Sequence, residues 1–188
     1  MKFVLASASE RRQELLTRVI EDFNVLVSDF DEKSIPQKDS ISKYVEQIAL
    51  GKAKDVASKL KEGNIVIAAD TIVEINGEVL GKPRDKDEAF KILSKLSGNT
   101  HRVFTGLVLI NTTTNKILVS TESTEVIFSK LNEKDISKYI ESGEPMDKAG
   151  AYGIQGKGGV FIERISGCYY NVVGLPLNRL DKMIKEII

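Results

Sequence analysis

Runs of β-branched and apolar residues alternate along this chain with segments whose apolar residues recur at helical spacing, which predicts an α/β protein. A first strand is expected over about 2–6, then a helix over about 10–19 capped by Ser9, with Leu15, Leu16 and Val19 on one face. A second strand over about 23–28 leads into the acidic loop 29–33. Ile41, Tyr44, Val45, Ile48, Ala49, Ala53, Val56 and Leu60 keep a helical period despite Gly51, so the longest helix is expected over about 40–60. Ile65-Val66-Ile67-Ala68-Ala69 has no polar alternation, as in a strand covered on both faces, and Asp70 is placed at its end. Asn76-Gly77 between Val73-Glu74-Ile75 and Glu78-Val79-Leu80 signals a tight hairpin. A helix over about 87–96 closes at Gly98. Strands near 103–110 and 116–128 follow, then a helix over about 133–142 ending at Gly143. The tail carries expected strands near 159–165 and 169–173, and Pro176 opens a last helix. No repeat, linker or low-complexity segment interrupts the pattern, so 1–188 reads as a single domain.

Composition narrows the class. A chain of 188 residues can bury roughly 70% of the surface its unfolded form exposes. With 41% hydrophobic and 29% charged residues, and no apolar run near the roughly 20 residues that span a bilayer, it is expected to be soluble, with no membrane partner. Cys168 is the single cysteine, so no disulfide forms within the chain and a reducing cytoplasm is the expected location. Lys plus Arg and Asp plus Glu both number 27, so no overall field gathers a nucleic acid.

Several residues could carry chemistry. Asp70, following five apolar residues, reads equally as a catalytic acid at a strand end or as a capping carboxylate. Asp29, Asp31 and Glu32 could offer hard oxygens to Mg²⁺ or Mn²⁺, or form a solvated loop. Ser7-Ala8-Ser9-Glu10-Arg11-Arg12 sets hydroxyls and two arginines where a strand turns into a helix, an arrangement that suits phosphate, although a simple cap with solvated arginines explains it too. Gly81-Lys82-Pro83-Arg84 adds a turn bearing cations, and Lys52 falls in mid-helix. The glycine-rich 153–159 segment lets a ligand approach the backbone but lacks the order of a Walker A loop. His101, the sole histidine, is expected to be a packed or hydrogen-bonded structural residue, which leaves little for triad or zinc chemistry.

Taken together, Leu5-Ala6-Ser7-Ala8-Ser9-Glu10-Arg11-Arg12, Ala69-Asp70-Thr71, Gly81-Lys82-Pro83, Asp147 through Gly156 and Asn171 through Leu177 resemble the Maf family of nucleotide pyrophosphatases, over nearly the whole chain. The resemblance implies a mixed, elongated sheet with flanking helices and a central cleft, of the inosine triphosphate pyrophosphatase type, and a homodimer. It implies hydrolysis of a nucleoside triphosphate to monophosphate and pyrophosphate with a divalent metal, Mg²⁺ or Mn²⁺. Residue by residue, it marks Asp70 as the catalytic acid and proton acceptor, Glu32, Lys52 and Lys82 as supporting polar residues, and Ser7 and Arg12 as the phosphate-binding opening. Arg11, Thr71 and Gln155 match the dTTP/UTP branch, CTP being a further candidate substrate; 7-methyl-GTP branches carry Trp, Gln and Glu there. Glu10 departs from the proline common at its position, and it places a negative charge near the expected phosphate site.

The expected mechanism has Asp70 and Glu32 holding the metal, Asp70 accepting a proton from water, and Arg12, Lys52 and Lys82 offsetting the charge of the departing pyrophosphate. Two rivals stand beside it. One is a nucleotide-responsive binding protein in cell-division control; the other is a phosphatase with Asp29 as nucleophile.

Overall fold

The computed structural model describes residues 1–37 and 40–188. In chain order its main elements are β1 (Lys2–Leu5), α1 (Glu10–Leu16), β2 (Phe23–Val25), α2 (Ile41–Ser58), β3 (Asn64–Ile75), β4 (Glu78–Leu80), α3 (Lys86–Leu96), β5 (Thr100–Asn111), β6 (Ile117–Phe128), α4 (Glu133–Glu141), β7 (Ile162–Ser166), α5 (Tyr169–Val173) and α6 (Leu177–Ile187). The strands pair in the order β2-β1-β3-β5-β6-β7, with β4 off β3. β1 is parallel to β2 and β3, whereas β4 on β3 and β7 on β6 are antiparallel, so the sheet is mixed as expected.

The chain forms two compact units. The first comprises Met1–Asp70, Thr105–Glu122 and Gly174–Ile188, the second Thr71–Phe104 and Ser123–Val173. The core of the first joins Val4, Val66, Ala68, Val108 and Ile110 of the sheet to Ala49, Ala53 and Val56 of α2. These alanines leave α2 a thin face, and Gly106 of β5 lets it come closer still. A Cβ at Gly106 would lie 2.6 Å from the Val45 carbonyl oxygen, so the helix backbone rests against the strand. In the second unit Leu93, Leu96, Val103, Phe128, Ile136 and Phe161 pack in a separate core. His101 sits at 1% exposure, edge-on to Phe128 and Tyr152, with Nε2 2.8 Å from the Tyr152 hydroxyl. It is the structural histidine that its isolation in the sequence suggests.

Three expectations change. The two segments read as separate strands, 65–69 and 73–75, are one strand, so Asp70 stands inside β3 rather than at its end. An acid there is tolerated because a lysine meets it, a tertiary partner that local pattern does not reveal. The predicted strand over 159–165 begins only at Ile162, since 157–161 coil as a 3₁₀ turn. Residues 169–173 form a helix instead of a strand, despite two tyrosines and two valines. The chain reverses at Gly167 (φ 131°), and one helical turn then lets Asn171 Nδ2 donate to the Val103 carbonyl at 2.9 Å and Thr124 Oγ1 at 3.0 Å.

Candidate active site

β1 ends at Leu5, and Ser9 caps α1 by accepting from the Arg12 N–H. Ser7 Oγ, buried in this turn, accepts from the Ser9 N–H at 3.2 Å and from Arg12 Nη1 at 3.4 Å. Arg12 Nε also donates to the Gly174 carbonyl at 2.8 Å, tying the turn to the segment before α6. Removal from water lowers the Arg12 pKa; Asp70 opposes this, Arg11 adds to it, and Glu32 opposes it in turn. Arginine stays charged throughout, so a cation is held beside two acids.

Those acids meet on one lysine. Lys52 lies about two helical turns beyond Val45 on α2, on the side that Gly106 admits to the sheet. Asp70 shares a strand face with Val66 and Ala68, which pack against α2. The Lys52 ammonium consequently reaches Asp70 Oδ1 at 2.7 Å and Glu32 Oε1 at 2.7 Å. These two oxygens can be no further apart than twice that distance. Side-chain exposures of 14% for Lys52, 12% for Asp70 and 53% for Glu32 make a group sunk on one side and open through Glu32 on the other.

Glu32 is brought there by a loop that α2 itself holds. Asp55 Oδ2 accepts from the Ser28 hydroxyl at 2.8 Å, the Asp29 N–H at 2.8 Å and Lys59 at 2.9 Å. The lysine's hydrogen bond, followed by those of Ser28 and the Asp29 N–H, lowers the Asp55 pKa. Phe30 covers Gly51, where any Cβ would collide with the ring. Asp31 then caps a 3₁₀ turn, Glu32–Ser34, by accepting from the Lys33 N–H at 3.1 Å. The Asp29 carboxylate stands 88% exposed and paired with Lys59, away from the Lys52 cluster. Gly51, Asp55 and Gly106 went unrecognised in the sequence, because what each needs is a neighbour distant along the chain.

Of the residues singled out, the first unit therefore brings together Ser7, Arg12, Glu32, Lys52 and Asp70, with Arg11 next to Arg12. Lys82, Thr71 and Gln155 belong to the second. Lys82 is exposed on the loop between β4 and α3, and the Gly81 carbonyl there accepts from the Gly150 N–H at 3.1 Å, joining two of the motif segments. Thr71 shares its strand face with Val73, opposite to Asp70 by the period of two. Gln155 is exposed at the tip of the glycine-rich segment.

That segment does not present its backbone to solvent as a ligand cradle. Glu144 fills it: Oε2 accepts from the Lys157 N–H at 2.9 Å, while Oε1 accepts from the Gly158 N–H at 3.2 Å and the Tyr139 hydroxyl at 2.9 Å. Burial alone would raise the Glu144 pKa; the Lys157 and Gly158 N–H groups and the Tyr139 hydroxyl outweigh it, and the net shift is downward. The sequence reading of these glycines as room for a ligand is thus corrected to room for an internal carboxylate.

A family model described as Maf-like protein matches residues 2–187. The dTTP/UTP pyrophosphatase of Clostridium botulinum (strain Alaska E43 / Type E3) is 57% identical over 188 residues, covering 100% of both chains. The dTTP/UTP pyrophosphatase of Clostridium beijerinckii is 57% identical over 187 residues, again covering 100% of each. Among solved structures, the Staphylococcus aureus Ham1 protein aligns over 99% of both chains with a TM-score of 0.57 at 18% identity, a likeness of fold alone.

Proposed function

This chain belongs to the Maf family, and from that premise we propose that it hydrolyses dTTP and UTP, with CTP a further candidate, to the nucleoside monophosphate and pyrophosphate. The full-length similarity to relatives of that name supports the substrates. The observation that carries the chemistry is the Lys52 ammonium held between Asp70 and Glu32.

Asp70, fixed inside β3, is the proton acceptor for the attacking water. Lys52 orients it and balances part of the acid pair's charge. Arg12, steadied by Ser7 and the Gly174 carbonyl, supplies a guanidinium fork suited to phosphate oxygens. The family resemblance marks Lys82 as a supporting polar residue, and its ammonium would add to the same charge stabilisation. Two carboxylates, one ammonium and one guanidinium nearly cancel, so an incoming triphosphate adds negative charge that this group does not offset. The acid pair, already closed around a cationic nitrogen, fits a hard divalent ion. Asp70 and Glu32 would hold it. Mg²⁺ or Mn²⁺ would supply Lewis-acid activation of water and phosphate. Single-cysteine composition supports a cytoplasmic location, and the resemblance supports a homodimer, which light scattering in solution tests.

A triphosphate screen with separate detection of phosphate and pyrophosphate tests the reading, with and without Mg²⁺ or Mn²⁺. Pyrophosphate from dTTP and UTP, dependent on the metal, is expected. Phosphate as first product would favour the Asp29 phosphatase, and stoichiometric binding without turnover would favour the nucleotide-responsive binding protein.

A further inference from the structure

Three N–H groups flanking Gln155, those of Gly153, Lys157 and Gly158, lead to the Glu144–Tyr139 pair. Beyond the Lys157 and Gly158 N–H groups that Glu144 accepts directly, its partner Tyr139 accepts from the Gly153 N–H at 3.1 Å. The Gly156 N–H turns back to the Gly153 carbonyl at 3.2 Å, so Gln155 rides on a tight turn whose two feet both stand on the Glu144–Tyr139 pair. The glycines follow from this wrapping. A Cβ at Gly156 would enter the Glu144 carboxylate, and one at Gly158 would lie 2.7 Å from the Tyr139 hydroxyl oxygen. The template is itself fixed. Lys148 Nζ donates to the Glu144 carbonyl at 2.7 Å, and the Tyr139 ring stands edge-on to Phe161 with centroids 5.0 Å apart.

We propose that Glu144 is a positioning residue for base selection: its carboxylate holds the backbone of 153–158 and thereby sets where the Gln155 side chain meets the nucleobase. This deepens the dTTP/UTP reading and rests on it. A carboxylate is needed because both of its oxygens accept; a glutamine in its place would keep one accepting side and turn an amino group towards an N–H donor. The Lys157 and Gly158 N–H groups are spent on an internal anion and that of Gly153 on the Tyr139 hydroxyl, which leaves the Gln155 side chain as the group this turn offers to the substrate.

The test is a double-mutant cycle on the full chain with Glu144→Ala, Gln155→Ala and the double variant, plus Glu144→Gln. It measures pyrophosphate release from UTP, dTTP and GTP and amide exchange of 153–158. Glu144→Ala should speed exchange in that segment and cut the UTP-over-GTP ratio of kcat/KM by about tenfold or more, mainly through KM, as expected for a lost set of hydrogen bonds to a charged group. Gln155→Ala should lose as much, the double variant no more than Gln155→Ala, and Glu144→Gln an intermediate amount. Losses that multiply in the double variant, or an unchanged ratio despite faster exchange, overturn the proposal. A wild type without preference for UTP over GTP overturns the substrate reading instead; the same cycle on KM of the best substrate then decides the positioning role, with multiplying effects against it. If Glu144→Ala fails to fold, Tyr139→Phe takes its place in the cycle, removing only the hydroxyl that links Gly153 to the carboxylate.

Discussion

His101 offers a titration with no competing imidazole, because the chain has one histidine. Burial lowers its pKa from 6.5 to about 4, and Nδ1 has no hydrogen-bond partner among the described residues to compensate a charge. The unfolded chain therefore binds a proton at pH values where the folded chain does not. Above the unfolded pKa the imidazole is neutral in both states and contributes no slope. As pH falls through the window from 6.5 to about 4, stability is lost at about 1.4 kcal/mol per pH unit, roughly 2 kcal/mol by pH 5 and on the order of 3 kcal/mol at the bottom of the window. Below it the folded form protonates as well and the loss levels off.

Carboxylates titrate in part of the same range, so the comparison needs a variant without the imidazole. His101→Phe with Tyr152→Phe removes both polar partners and keeps two rings in the core, a change expected to be nearly neutral at pH 7. Urea unfolding midpoints at pH 7, 6, 5 and 4.5 should fall more steeply for the wild type, and the two curves should separate by about 2 kcal/mol at pH 5. NMR of the imidazole protons should show no titration of the folded protein near pH 6.5. A folded-state midpoint near 6.5, or parallel pH profiles for wild type and double variant, refutes the reasoning.

Asp70→Asn should lower kcat for UTP by at least about a hundredfold while the circular-dichroism spectrum is retained, since it removes the proposed proton acceptor; Asp29→Asn, at an exposed pair with Lys59, should change kcat little. Gly106→Ala should destabilise the protein by about 1 to 3 kcal/mol in urea unfolding, because the new methyl meets the Val45 backbone rather than a movable side chain. Replacing Arg11, Thr71 and Gln155 together by Trp, Gln and Glu should depress UTP hydrolysis and raise that of 7-methyl-GTP, whose cationic ring can stack on indole; an unchanged kcat/KM profile removes these residues from the specificity argument.

Elements whose stability is local were legible in the sequence. Ser9, read as a cap from its place before the helical run, does cap α1 by accepting from the Arg12 N–H three residues on. Asn76-Gly77 adopts the two positive φ angles that its dipeptide favours. What failed was decided at a distance. Residues 169–173 have the composition of a strand, but Asn171 needs a helical turn to reach Val103 and Thr124. The glycines of 153–158 look like a ligand loop because glycine records only that something approaches closely, and Glu144 is separated from them by a helical corner. Likewise Lys52 resembles any lysine in mid-helix until Gly106 brings α2 to the sheet. The acids and Lys52 could be named from the motifs; that one ammonium joins both acids could not.

β3 carries a second buried acid, and the contrast explains why one of the pair is read as structural and the other as chemical. Glu74 is buried with both oxygens engaged: Oε1 accepts from the Gly77 N–H and Oε2 from the Arg102 guanidinium at 2.9 Å, which secures the hairpin turn. Its partners are the end of its own hairpin and one arginine, so the interaction is closed and its output is register. Asp70 meets a lysine that is divided between two carboxylates, one of them on an exposed loop. A shared ammonium can change its allegiance when a more highly charged cation or a phosphate enters, because Glu32 and Asp70 each lose only part of its charge. Burial fixes both acids equally well in β3. The difference lies in whether the countercharge is committed or shared, and the shared arrangement is the one that suits the proposed triphosphate site.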